Sequence, residues 1–157
     1  MTISFSCIDR LFEQMSDEEY NILNEEFGTY MVSRAYEYRQ LLEYLVFRYF
    51  AKSIYDYDFL GKCQMLVTNF FVIRQMDIIR WLDNHREYSF KDRMDVVHIF
   101  SRQVEYSEDN IENLYEDFIF DDIFKTDSLI ASLIIAKTLT FQKYNYILVL
   151  YVFSVNP

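Results

Sequence analysis

Apolar positions recur three and four residues apart along most of the chain, the spacing of helices that each bury one face. The first strong start signal is Ser16-Asp17-Glu18-Glu19. Ser16 can cap a helix, and Glu19, three residues on, can reach back to it. Tyr20, Leu23 and Phe27 then mark one face, and Gly28 reads as the stop. A short amphipathic piece, Ile8, Leu11, Phe12 and Met15, precedes it. The next pattern spans about Tyr30 to Ile54, through Met31, Ala35, Tyr38, Leu42, Leu45, Val46, Tyr49 and Phe50. Tyr55-Asp56-Tyr57-Asp58 reads as a link.

From about Phe59 to Asn84 the chain is apolar around most of a helical circumference, as expected of a central, largely buried helix. Arg74, Asp77 and Arg80 interrupt it and exclude a membrane span. Ser89, with Asp92 three residues later, opens a fourth helix whose expected buried stripe is Phe90, Met94, Val97, Phe100 and Val104. A fifth begins near Ser107 to Asp109, with Ile111, Leu114, Tyr115, Phe118 and Ile119 on one face. Asp127 to Ile135 fits one more helix. The expectation is an all-α bundle of about five to six helices in a single domain over 1–135. Residues 136–157 form an apolar C-terminal extension. Its run Tyr146–Phe153 is too short to span a bilayer. It reads as a continuation of the last helix, as a strand without an evident partner, or as the altered end of a disrupted reading frame.

Composition supports helices over sheet. Only Gly28, Gly61 and Pro157 supply turn-forming residues, so tight hairpins are scarce. With 15 Phe and 14 Tyr, large rings should dominate the core. No glycine-rich strand-to-helix turn exists, which excludes a Rossmann-type nucleotide site and a phosphate-cradling loop. The net charge is −10, and residues 1–124 hold 24 acids against 12 bases. An acidic body excludes a general nucleic-acid binder and does not suit an anionic membrane surface. Cys7 and Cys63 are isolated thiols, which suits a reduced cytoplasmic protein. Met1 to Met15 lacks the basic start of a secretory leader and carries Asp9, Arg10 and Glu13.

Chemistry-bearing patterns are few. His85 and His98 are thirteen apart, without the i, i+4 partner of a zinc helix, so no metal site is expected. His98 borders the buried stripe and reads as a structural histidine. The tract from Glu105 to Asp122 has eight carboxylates and no Lys or Arg. It lacks the Asp-x-Asp-x-Asp-Gly spacing of an EF-hand. A solvated helix face accounts for it, and a basic or lysine-bearing partner would also suit it. Arg102 and Glu105, three apart, can pair on one helix face, and Asn110 can cap the helix that follows. A structural ion pair is the simpler account. Glu43 and Arg48 sit where they can meet Arg74 and Asp77 of the central helix.

Two of these segments carry a resemblance. Glu43-Tyr44-Leu45-Val46, the central apolar helix, and Ser101-Arg102-Gln103-Val104-Glu105-Tyr106-Ser107-Glu108-Asp109-Asn110 resemble, in pattern and order, the C-terminal helical region of flagellin lysine-N-methylases. That family shows an E-N-Y-L-V-like helix start and an S-R-x-x-E-H-N-like segment. The likeness covers roughly residues 20 to 135, and Tyr106 stands where the family has His. The resemblance implies methyl transfer from S-adenosylmethionine to flagellin lysines in the cytoplasm. It makes Glu43, Arg102, Glu105 and Asn110 the candidate site residues. It also implies an iron–sulfur cluster held by a cysteine-rich segment that this chain lacks. A truncated or partial member follows, with flagellin and a separate cysteine-rich half as partners. The reading from a different class is a non-catalytic acidic helical interaction module.

Overall fold

The computed structural model describes residues 15–105, 108–120, 122–125 and 127–128. All regular structure among them is helical. Helix α1, Asp17–Met31, starts with the expected capping box: the Glu19 N–H donates to Ser16 Oγ at 3.3 Å, and the Ser16 N–H donates to Glu19 Oε2 at 2.8 Å. Gly28 does not end it. A single tight turn, Val32–Arg34, passes the chain directly into α2, Ala35–Leu45. A wide turn of π pitch, Val46–Phe50, then leads into the short α3, Ala51–Asp56. The rod stops at Tyr57, in the left-handed region at φ 59°, whose N–H donates to the Ser53 carbonyl at 3.0 Å.

Asp58 opens α4, Phe59–Asp83, by accepting from the Gly61 N–H at 3.0 Å. This is the expected long central helix. After it, His85 and Arg86 take consecutive left-handed conformations, and the Arg86 N–H closes back on the Trp81 carbonyl at 2.8 Å. Ser89 and Asp92 form the second capping box and start α5, Phe90–Phe100. A second wide turn, Ser101–Glu105, extends α5, and α6 follows over Glu108–Phe120. A tight turn at Asp122–Phe124 is the last described element before Lys125.

Counted as continuous rods, the described residues form four, against the five to six helices expected. The difference has a local cause: the segments on either side of Gly28 run together. The pieces expected at 8–15 and 127–135 and the extension at 136–157 lie wholly or largely outside the described residues.

Two apolar clusters share α4. One joins Leu41, Leu45 and Tyr49 to Met65, Val72, Ile73 and Met76, and then to Val96, Phe100, Val104, Leu114, Phe118 and Phe124. The other packs Tyr20, Leu23, Phe27 and Met31 against Phe71, Ile78, Ile79, Trp81 and Tyr88. Each fully buried large apolar side chain contributes about 1.5–3 kcal/mol. Having both clusters explains why α4 is apolar nearly all round. One expected stripe is shifted, and a second departs at a single position. Phe90 and Met94 are exposed while Arg93 and Val96 are buried, and Ile119 is exposed. No described helix is long and apolar enough to cross a membrane.

Candidate functional site

Of the four residues singled out from sequence, the side chains of Glu43 and Arg102 are described, and both are exposed. Glu43 lies exposed on α2 and pairs with Arg39 at 2.9 Å, one helical turn away. Both side chains are well solvated, so the pair adds about 0–1 kcal/mol. The expected meeting of Glu43 with the charges of α4 does not occur. Arg102 is exposed on the second wide turn. Glu105 ends that turn and Asn110 lies in the first turn of α6. Their side chains, and Tyr106, lie outside the described residues. The first landmark lies at the end of α2 and enters a wide turn at Val46, and the second begins on the wide turn Ser101–Glu105; such turns are frequent at functional sites.

The densest chemistry is instead internal. Asp77, on the middle of α4, has no solvent exposure. Its Oδ2 accepts from Arg93 Nη1 at 2.6 Å and from the Tyr38 hydroxyl at 2.8 Å. Its Oδ1 accepts from the Tyr88 hydroxyl. Arg93 comes from α5, Tyr38 from α2 and Tyr88 from the α4–α5 connection, so one carboxylate ties four segments together. Arg93 also stands 4.2 Å over the Tyr38 ring and 3.5 Å from Glu37 Oε2. Glu37 is buried too and is forked by Arg34 at 2.7 and 3.0 Å. Arg34 Nη1 reaches on to the Tyr88 carbonyl, while the Tyr88 N–H donates to the Tyr30 hydroxyl at 3.0 Å. Arg74 lies over the rings of Phe27 and Tyr38. Arg34 and Arg93 thus pair with two carboxylates inside the bundle, and Arg74 adds a third guanidinium nearby.

Burial pushes the Asp77 carboxyl up, to about 6. Arg93 and the two tyrosine hydroxyls restrain the rise, and the group is ionised at neutral pH. Burial likewise raises the Tyr38 and Tyr88 hydroxyls far above their usual range, aided by the Asp77 charge. Burial works against the Arg93 charge, but Asp77 together with Tyr38 and Tyr88 outweighs it, and the guanidinium holds its proton more tightly than usual. Chemically this is a closed, fixed set of charges. It orients α2, α4 and α5 and holds the Tyr88 connection.

Two further charge clusters anchor the ends of α4. Near its start, Lys62 is buried and donates to Tyr115 Oη at 2.5 Å and to Asp56 Oδ2 at 2.9 Å, clasping α6 to the α3–α4 link. Near its end, Asp92 Oδ1 accepts from Arg80 Nε at 2.9 Å and from Asn84 Nδ2 at 2.8 Å. Burial would raise Asp92, but the Ser89 cap and these donors hold it well below the usual carboxylate range. No described group of three His, Cys, Asp or Glu residues could hold a metal ion. Cys63 is a half-buried free thiol, pushed up by burial, and Cys7 lies outside the described residues. His98 is exposed rather than bordering the core.

Sequence reading did see charges inside α4 but missed Arg93, because an arginine beside an apolar stripe reads as solvent-facing. The usable signal was Asp77 in an otherwise apolar helix, since a buried carboxylate requires a partner.

Compared with known protein families, the chain matches the family described as FliB lysine N-methylase C-terminal domain over residues 3–132. No curated protein and no solved structure matches the chain.

Proposed function

The chain belongs to the FliB lysine N-methylase C-terminal domain family, matched over residues 3–132 of 157, and from that premise we propose that it serves as the helical part of a flagellin lysine methylation system. The match over most of the chain is the observation that carries this reading. The proposed substrate is the lysine side chains of flagellin, and the proposed setting is the cytoplasm. S-adenosylmethionine, when bound, would supply an electrophilic methyl group. The lysine amine must be neutral to attack it, so the working site has to favour the deprotonated amine by desolvation or proton removal. Glu43, Arg102, Glu105 and Asn110, on or beside the two wide turns, are proposed as polar contacts to the protein substrate.

The iron–sulfur cluster implied by the resemblance does not fit these residues. Four thiolates are needed, and Cys7 and Cys63 are the chain's two cysteines. The proposal therefore places any such cluster on a cysteine-rich segment other than these residues, and no step here runs through a cluster.

The test is an anaerobic assay with labelled S-adenosylmethionine and unmethylated flagellin, with and without an added cysteine-rich half. Label on flagellin lysines only when both halves are present is the expected result. Label with this chain alone would show the missing cysteines to be dispensable. No label in any combination sinks the methylation reading. If flagellin nevertheless remains bound, the chain acts as an interaction module.

A further inference from the structure

Helix α6 turns Leu114 and Phe118 inward, where they join Phe124 in the core. Its opposite side has a different character. Glu112, Glu116, Ile119 and Phe120 follow i, i+4, i+7 and i+8 spacing and lie on one face. All four are exposed, Ile119 at 72% and Phe120 at 81%. Two large apolar side chains so fully in water at one helix end, flanked by carboxylates, have the composition of an unoccupied contact surface with a charged rim.

The electrostatics of this helix specify what should occupy it. Glu112 and Glu116 are one turn apart, a destabilising like-charge pair. Neither makes an ion pair with any described residue. The last turn of α6 holds no basic residue, so Glu116 and Asp117 lie where the helix dipole disfavours negative charge. No Lys or Arg occurs from 105 to 122. The nearest following base, Lys125, is engaged by Asp122. The buried Lys62 serves the inner side, at Tyr115 and Asp56. An outside cation would relieve the repulsion, and an apolar side chain beside it would cover Ile119 and Phe120.

We infer that the outward face of α6 docks a lysine-bearing segment of the protein substrate, with its ammonium groups at Glu112 and Glu116 and its apolar side chains against Ile119 and Phe120. The identity of the partner as substrate rests on the methylase reading; the chemistry of the face does not. An acidic docking face also raises the local concentration of lysine side chains and speeds encounter at low salt.

The experiment measures binding of the full chain to immobilised unmethylated flagellin, and to the same flagellin with its lysines acetylated. Acetylation removes the charge and keeps the chain length. Expected are a loss of at least about ten-fold for the Glu112→Lys/Glu116→Lys double change, a loss of about five-fold or more for Phe120→Ser, and a matching loss on acetylated flagellin. Far-UV ellipticity of each variant should equal that of the parent. A shortened chain ending at residue 135 should bind as the parent does.

Variants that fold and bind like the parent overturn the inference. Binding that appears only after residues 136–157 are removed overturns it too, because the chain's own extension then takes the face. So does concentration-dependent self-association that Phe120→Ser abolishes. The two readings separate cleanly. Label transfer to flagellin with unchanged binding by the α6 variants sinks the docking face alone. Binding through α6 without label transfer in any combination sinks the methylase reading alone.

Discussion

Asp77→Asn is the most informative single change, because it removes one charge from the closed cluster while keeping its shape. The Asp77–Arg93 bond of 2.6 Å joins side chains that are 0% and 6% exposed, so water cannot replace what is lost. Burial disfavours the Asp77 charge itself, so the cost lies in the amide turning one acceptor oxygen into a donor; it cannot serve all three donors that now point at the carboxylate, and a lost hydrogen bond is worth about 0.5–1.5 kcal/mol. At least one of Tyr38, Tyr88 and Arg93 then loses its acceptor, a further penalty of about 1–3 kcal/mol for a buried group. Together these come to about 1.5–4.5 kcal/mol. Against a typical total of about 5–15 kcal/mol, this is a large share of the stability. Urea unfolding followed by far-UV ellipticity and by Trp81 fluorescence gives the measurement; Trp81 is the sole tryptophan and only 3% exposed. The companion is Asp77→Asn with Arg93→Met. Glu37 keeps its Arg34 fork in that background, so no new lone charge is buried. The pair should therefore cost less than the sum of its single changes by about 2 kcal/mol or more. A single change costing under about 1 kcal/mol, or a cycle without coupling, would refute the idea that this cluster holds the bundle together.

Two further outcomes follow from the same contacts. The folded Asp77 carboxyl takes its proton near pH 6 and an unfolded one near about 3.9, so the folded state binds more protons between those values, and this group's contribution to stability rises as pH falls from about 7 to about 4. Asp92 has the opposite sign, since its depressed value gives stability that is present at neutral pH and is lost only as pH falls below about 4. The stability difference between parent and Asp77→Asn should accordingly grow in favour of the parent from about pH 7 to about pH 5, and a constant or shrinking difference contradicts the burial account. At the start of α4, Asp58→Ala should cost about 1 kcal/mol by loss of the cap. Gly61→Ala drives its new Cβ into the Asp58 carboxylate and displaces the same cap, but gains about 1 kcal/mol in helix propensity, so a near-neutral midpoint in urea is expected. A loss of 2 kcal/mol or more there would show that the Asp58 side chain cannot move aside.

What was legible in the sequence was local. Both capping boxes lie where Ser16 and Ser89 place them, and α4 has the predicted extent to within a residue, because each depends on neighbours within one turn. Gly28 misled for a related reason: glycine marks a stop only where the chain adopts a left-handed conformation, and here it is an ordinary helical residue. Phe90 and Met94 were assigned to the core by spacing alone. The face that is actually buried carries Arg93, turned inward by Asp77 sixteen residues earlier. Tyr38 reaches Asp77 across 39 positions and Arg34 reaches Tyr88 across 54. Pairings that distant leave no period in the sequence, so the candidate site was visible only as one unexplained acid in an apolar helix.

The two segments that carry the family resemblance have a packing reason to be where they are. Glu37, Leu41, Leu45 and Tyr49 are all buried, in steps of four, as are Val96, Phe100 and Val104. At 3.6 residues per turn a row of every fourth residue drifts about 40° per step, so a straight α-helix would soon carry such a row off the core. A turn of π pitch bonds one residue further back and rotates less per residue, which takes back part of that drift. The wide turns at Val46–Phe50 and Ser101–Glu105 fall where the correction is needed, and they deliver Tyr49 and Val104 to the same cluster against α4. The same correction leaves Phe47 and Arg102 facing solvent. The landmarks thus align two rods on the central helix from within and present residues outward in one step. Packing alone accounts for Leu45, Tyr49, Phe100 and Val104, and chemistry, where the landmarks contribute any, belongs to their exposed members.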